Sequence, residues 1–383
     1  MSRDLDLVVI GAGIMGATAA LRAAAGGMRT VVIDRDAAGS GASGVNAGTL
    51  SLQIKRVGLM PYALRGHAWW KAAGDAVGFH ETGGYTLAFT AREQALLEER
   101  MLLKREAGAP IEFVSPRELR AREPALTDRV AAASYCAIDG HADSSRTGIY
   151  LRALLREAGV ELREHAGARA IEALDGGDGG FRVALPDETL RTRRVLIACG
   201  AWTAGVASML GVALPIRARV NTVSVTEPGP RRLSAGVGHA TGLLTLKQKA
   251  SGAYLIGGGW QGRGSPGDGR GEIAPDNLLM NWRLARYAVP ALAHARVLRS
   301  WTGFEAYVDD YWPLAGALPG VPGAYVLACV RGGYTIGPCI GPLVADAILG
   351  REPALPLFDP ARVMRAAPAE AGDSAPSVPA ADA

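Results

Sequence analysis

The chain has 383 residues, 49% hydrophobic and 20% charged, with a formal net charge of +4. So much apolar material excludes a disordered chain, and the length exceeds one small core, so two domains or one elaborated domain are expected. The basic excess is small and no Lys/Arg block is interleaved with aromatics, which argues against a nucleic-acid partner.

The N-terminus runs from MSRDLD directly into LVVIGAG, without the basic region or cleavage site of a signal peptide. No window reaches the ~18 uninterrupted apolar residues of a transmembrane helix, so the expected location is the cytoplasm. Leu5–Ile10 is a continuous apolar run ending at a glycine, as in a buried parallel strand. An Ala-rich helix over Ile14–Ala25 follows, Gly26-Gly27 stops it, and Thr30–Ile33 reads as a second buried strand. A strand over residues 85–89, a charged helix over 91–107 and a strand over Ile111–Val114 open a second, substrate-facing part. Residues 150–158 read as an amphipathic helix, and Val195–Ala198, within VLIACG, as a buried strand ending at a glycine that returns to the first part. Alternation resumes over 220–258 and predicts an antiparallel sheet. Residues 262–271 form a polar glycine-rich loop, 325–328 a strand and 342–349 a helix. The Ala- and Pro-rich residues 366–383 read as a disordered tail. Cys136, Cys199, Cys329 and Cys339 show no CxxC spacing, which favours free thiols in a reducing compartment. Neither they nor the scattered histidines have metal-ligand spacing, and no metal is expected.

Gly11, Gly13 and Gly16 form GxGxxG between the first strand and helix, and Asp34 ends the next strand. This is the fingerprint of a dinucleotide-binding βαβ unit. Gly11 permits the tight turn and Gly13 lets a pyrophosphate approach the backbone, while Gly16 lets the helix pack on the sheet. The N–H groups around Ala12, Gly13, Ile14 and Met15 face the pyrophosphate. Asp34 accepts the ribose hydroxyls, and Arg35 follows it. The fingerprint serves FAD and NAD alike. Three further stretches suit an extended dinucleotide: the small, polar loop 39–49 with Ser43, Asn46, Ala47 and Gly48; the strand end with Ala198, Gly200 and Trp202; and Arg331, Gly332, Gly333, Tyr334, Thr335 and Ile336, whose backbone N–H groups offer a seat for a flavin ring. A further glycine cluster, 257–259, has no acid-ended strand after it and reads as a strand end, so no second nucleotide is expected.

GAGIMG, SGVNAG, ACGAW and RGGYTIGP, in that order, resemble the FAD-dependent D-amino acid oxidase family in its glycine and sarcosine oxidase branch. The resemblance covers roughly residues 5 to 352 and is nearest to the FAD-containing subunit of opine oxidases and related amino-acid dehydrogenases. It implies an α/β fold with a Rossmann-like, discontinuous FAD-binding domain, expected at 1–85, 140–215 and 310–365. A substrate domain on a large antiparallel sheet is expected at 86–139 and 216–309. It also implies oxidation of the C–N bond of an amino acid or N-substituted amino acid by hydride transfer to flavin N5. FAD is expected to be non-covalent, because no Cys or His lies at Glu305 or in the SGVNAG loop, although Cys329 and Cys339 leave a tether open. Electrons then pass to oxygen, a quinone or a partner subunit. Two other readings stay open: a flavin dehydrogenase of a hydroxy acid or polyol, and an electron-relay subunit of a larger complex.

In such enzymes orientation of the amine over N5 does most of the work, and an arginine grips the substrate carboxylate in a fork. Arg331 matches one family arginine, whereas Glu305 occupies the place of another. Glu305 then either pairs with an arginine such as Arg331 or meets a positive group of the substrate. Tyr254, Trp260, Tyr307 and Tyr334 are expected either to line the pocket or to pack in the core, and Asp310 to cap its loop.

Overall fold

A computed structural model describes residues 5–174 and 179–364; the expected tail at 366–383 lies outside the described residues. Where the sequence is continuously apolar, parallel strands form. Leu5–Ile10 pairs in parallel with Thr30–Ile33 on one side and Thr189–Ile197 on the other. The sheet runs Leu314–Ala317, Ala324–Ala328, Thr189–Ile197, Leu5–Ile10, Thr30–Ile33, Glu161–Arg163, with Phe181–Ala184 paired to Thr189–Ile197 and Ala170–Ala173 to Phe181–Ala184. Val8, Ile33, Val195 and Ile197 are buried because helices and loops cover the sheet.

A second sheet runs Val297–Tyr307, Arg217–Thr226, Tyr254–Gly257, Thr245–Gln248, Gly236–His239, Gly84–Ala88, Ala132–Cys136, Ile111–Val114. It is antiparallel in the pairs around Thr245–Gln248, but Gly236–His239 runs parallel to Gly84–Ala88. Side chains alternate across a strand. One face carries Tyr85, Leu87, Val237, Leu246 and Ile256 into a core shared with the helix Pro275–Ala288. The other face is lined by Gly84, Thr86, Gly236, Gly238, Thr245 and Lys247, placed side by side by the register.

The described residues within 1–45, 144–219 and 304–371 make one compact unit and those within 46–143 and 220–303 the other. Residues 46–85, expected with the nucleotide part, thus pack in the second unit. They do so through Gly84–Ala88, a central strand of its sheet, and through Thr49–Leu50, which pairs with Gly140–His141.

The C-terminal helix spans Gly333–Ile348 and begins nine residues before the expected 342. Pro338 and Pro342 lie inside it, although each removes a helical N–H donor. Its packing compensates. Added Cβ atoms at Gly337 and Gly341 would lie 2.9 Å from Ile14 Cγ2 and 2.3 Å from Thr18 Oγ1, so glycine lets the backbone of this helix approach the helix Ile14–Ala25 closely. Arg22 and Asp346 close the pair at 2.8 Å. Gly337 meets Ile14, Gly341 meets Thr18 and Asp346 meets Arg22, so the two helices run parallel with their N-termini at one end.

Candidate active site

The first unit carries the nucleotide fingerprint. Gly11 has φ +110°, and a Cβ there would lie 2.4 Å from the Ala198 carbonyl; at Gly16 it would lie 2.0 Å from the Gly11 carbonyl. These two glycines therefore lock turn, helix and strand end together. Gly13 differs: its Cβ would touch only the Ser43 Oγ, at 3.3 Å, so the protein leaves space beside the helix start. The buried Ser43 accepts a 3.0 Å hydrogen bond from the Ile14 N–H. Asp34 accepts from the N–H of Ala12 at 2.7 Å and of Asp36 at 2.9 Å. Burial pushes its carboxyl above the usual value against the pull of those donors. A carboxylate accepts more than two hydrogen bonds, so Asp34 keeps capacity for a ribose.

The strand end at Ala198 leads into Gly200, φ +55°. Trp202 then lies beneath the Arg35 guanidinium, 3.9 Å from its ring centre, and edge-on to Phe304 at 5.6 Å. Much later in the chain, Cys329 and Gly332 adopt left-handed φ values of +59° and +67°. Gly332 caps the C-terminal helix, so Gly333 to Ile336 form its first turn instead of a loop preceding it. Tyr334 is tied by its hydroxyl to Thr147 at 2.9 Å, while the buried Thr335 Oγ1 has no hydrogen-bond partner. Open space at Gly13, an unsatisfied buried hydroxyl at Thr335 and two adjacent helix N-termini fit a dinucleotide with an anionic centre. Gly13 to Gly16, Asp34, Ser43 and Gly332 to Ile336 are the residues that would hold FAD. Asn46, Ala47 and Gly48 belong to the second unit, where Asn46 Oδ1 accepts from the Gly48 N–H at 2.6 Å.

Of the expected substrate residues, the first unit gathers Glu305, Tyr307 and Arg331. Tyr307 stacks on Tyr311 with ring centres 5.5 Å apart. Arg219 lies 4.5 Å and 4.8 Å from these two rings and donates to the Tyr311 hydroxyl at 2.5 Å. Arg331 is 5.6 Å from the Tyr311 ring. Two guanidinium groups thus share one aromatic stack. Glu305, two residues before Tyr307, lies on the same side of the strand Val297–Tyr307. Burial raises the Cys329 thiol pKa, and the Glu305 charge adds to that rise. Asp310 accepts from the Trp312 N–H and pairs with Arg362, both at 2.8 Å, which is the capping role expected of it. Tyr254 belongs to the second unit and to its core, not to a pocket wall; its hydroxyl is buried and unpartnered, and burial raises its pKa. Arg219 and Tyr311 join the site without a signal that sequence reasoning used. Arg219 sits in an arginine-rich alternating strand with no motif, and Tyr311 is set apart by its left-handed φ of +56°, which only the structure shows.

The family described as FAD dependent oxidoreductase (DAO) matches residues 6–347. The chain is 27% identical over 350 residues to an opine oxidase subunit of Rhizobium meliloti, covering 86% of this chain and 89% of that one. It is 27% identical over 371 residues to glycine oxidase of Geobacillus kaustophilus, covering 93% and 96%. The crystal structure of glycine oxidase from Geobacillus kaustophilus superposes with a TM-score of 0.81 at 26% identity, covering 96% of this chain and 100% of that one. L-Proline dehydrogenase from P. horikoshii shares the fold at a TM-score of 0.85 and 24% identity, covering 95% and 99%. With the nucleotide fingerprint built as described and a family match over nearly the whole length, the chain belongs to the FAD-dependent oxidoreductases of the DAO family.

Proposed function

We propose that the protein oxidises the C–N bond of an amino acid or N-substituted amino acid. The observation that carries this reading is the pair Arg219 and Arg331 around the Tyr307–Tyr311 stack, beside the turn that starts the C-terminal helix. Two guanidinium groups suit a carboxylate, which accepts a forked pair of hydrogen bonds from each, and relatives named for glycine and for opines support a carboxylate-bearing amine. Bound FAD supplies the hydride acceptor, N5. Arg331 and Arg219 hold the carboxylate and so fix the direction of the reacting Cα–H. Glu305 meets the positive end of the substrate, its amine or a more distant cationic group. The sequence also allows Glu305 a purely structural role, pairing with an arginine such as Arg331 and orienting it.

A relative named as a subunit supports a partner subunit for this chain. The cytoplasm is the compartment in keeping with four free thiols, and among the described residues no helix is long and apolar enough to cross a membrane. The test is anaerobic bleaching of the flavin absorbance by a panel of glycine, sarcosine, D-alanine, L-proline and N-carboxyalkyl amino acids, against hydroxy acids and polyols. Bleaching by a member of the amine set is expected. Bleaching by the hydroxy acids or polyols alone would replace this reading.

FAD is held without a covalent link. No Cys or His stands at Glu305 or in the loop 43–48, where a tether is sought, and burial raises the thiols of Cys199 and Cys329, two of the three in the first unit. Acid precipitation is expected to leave a colourless pellet under a yellow supernatant; a yellow pellet would show a tether.

A further inference from the structure

The second unit holds a small polar cavity whose lining includes none of the residues assigned to the reaction above. Its floor is the glycine-rich face of the sheet, Gly84, Gly236 and Gly238, where missing side chains leave about 30 Å³. That is room for a water or two, or for one ion or group of halide or formate size. Lys247, 5% exposed, reaches over this floor and donates a 2.7 Å hydrogen bond to Thr49 Oγ1. Thr49 is the direct cross-strand neighbour of His141. His141 is 3% exposed, and its Nε2 is buried in the cavity wall without a hydrogen-bond partner.

The charges around this space do not balance. Burial and Lys249 press the Lys247 ammonium down to about 7, and burial with Lys247, Lys249, His80 and Arg231 holds His141 neutral, down to about 2. Among the described residues no carboxylate offsets the effect on Lys247, and the largest influences on His141 are burial and neighbouring basic groups. Asp139 also lines the cavity, but it is engaged by the Ser51 hydroxyl at 2.5 Å and the Leu52 N–H at 2.8 Å, with the Gln53 amide at 3.3 Å. A buried cation without a counter-charge is costly. Residue choice points the same way. The chain has 41 basic residues, of which only Lys55, Lys71, Lys104, Lys247 and Lys249 are lysines. At position 247 a compact ammonium fits a space too small for a planar guanidinium.

We propose that this cavity is a binding site for one small monovalent anion, a carboxylate or halide, held by the Lys247 ammonium. Thr49 and His141 complete it. Thr49 accepts from Lys247, so its own hydrogen is free to donate, and the unpartnered His141 Nε2 donates when it carries the ring proton. The anion is either free in solution or the carboxylate end of a substrate; only the second source rests on the function proposed above.

Formate is titrated into the FAD-loaded protein at ionic strength held constant with sulfate, which exceeds the cavity, and the melting temperature is followed. A saturable rise is expected. In Lys247→Met formate binding is expected to weaken by about tenfold to a hundredfold, the worth of a hydrogen bond to a charged group. A linear response, or saturation unchanged in Lys247→Met, overturns the site. Should that variant fail to fold, crystals of the wild-type holoenzyme in bromide decide: an anomalous peak within hydrogen-bond distance of Lys247 Nζ supports the site and its absence overturns it. Competition of formate with the amine substrate in turnover identifies the anion as the substrate's carboxylate; inhibition that leaves KM unchanged identifies a free anion in a separate site.

Discussion

Arg331→Met is expected to lower kcat/KM for a carboxylate-bearing amine by roughly one and a half to three and a half decades, with FAD content unchanged. Truncating one partner of a hydrogen-bonded charge pair in a closed site costs about 2–5 kcal/mol, and each ~1.4 kcal/mol is tenfold. Arg331 is half-buried and borders the Tyr311 ring, so part of its charge is already shielded from water. The carboxylate also orients the reacting carbon, so kcat falls along with the rise in KM. The amide of the same substrate provides the control. It lacks the charge that Arg331 meets, and the variant and wild type are expected to turn it over at similar rates. Equal losses on acid and amide, or no loss on the acid, would remove Arg331 from the substrate site. Because Arg219 faces the same aromatic pair, the double variant Arg219→Met/Arg331→Met is expected to lose less than the sum of the single effects.

Gly13 and Gly16 belong to one motif, yet substitution is expected to separate cofactor binding from folding. Gly16→Val places a branched carbon 2.0 Å from the Gly11 carbonyl oxygen, and the tight turn that holds this carbonyl cannot yield. A loss of roughly 3 kcal/mol or more is expected, seen as insoluble protein or a strongly lowered melting temperature. Gly13→Val meets only the end of the Ser43 side chain, at 3.3 Å, and its φ of −72° suits any residue. That variant is expected to fold, to show wild-type circular dichroism, and to purify colourless, since the added methyls fill the space of the pyrophosphate. Flavin retained in Gly13→Val would contradict the placement of the cofactor.

What is legible in the sequence and what is not follow from the range of the interactions involved. Leu5–Ile10, Ile14–Ala25 and Thr30–Ile33 form over the spans expected from their apolar runs and glycine stops, because those signals are local. Residues 46–85 fall in the second unit because membership is decided by pairing with strands far away in sequence, Gly236–His239 and Gly140–His141. Pro338 and Pro342 hide the first half of the helix Gly333–Ile348, since their local cost is offset by packing on a helix more than 300 residues earlier. Glu305 and Tyr307 stand in a recognisable place, whereas nothing near Arg219 in sequence distinguishes it from its arginine neighbours. Lys247 is legible only as one of few lysines; its buried setting depends on glycines from two other strands.

The parallel pairing of the helices Ile14–Ala25 and Gly333–Ile348 has a consequence for biosynthesis. Gly337, Gly341 and Asp346 complete the wall against which Ile14, Thr18 and Arg22 rest. A ribosome making this chain emits the dinucleotide fingerprint more than 300 residues before the helix that shields it. Throughout that interval the face of Ile14, Met15, Thr18 and Ala19 waits for a segment more than 300 residues away to cover it, and pairings of such separation form slowly. Loading of FAD is therefore expected late in the life of the nascent chain, after Gly333–Ile348 has emerged.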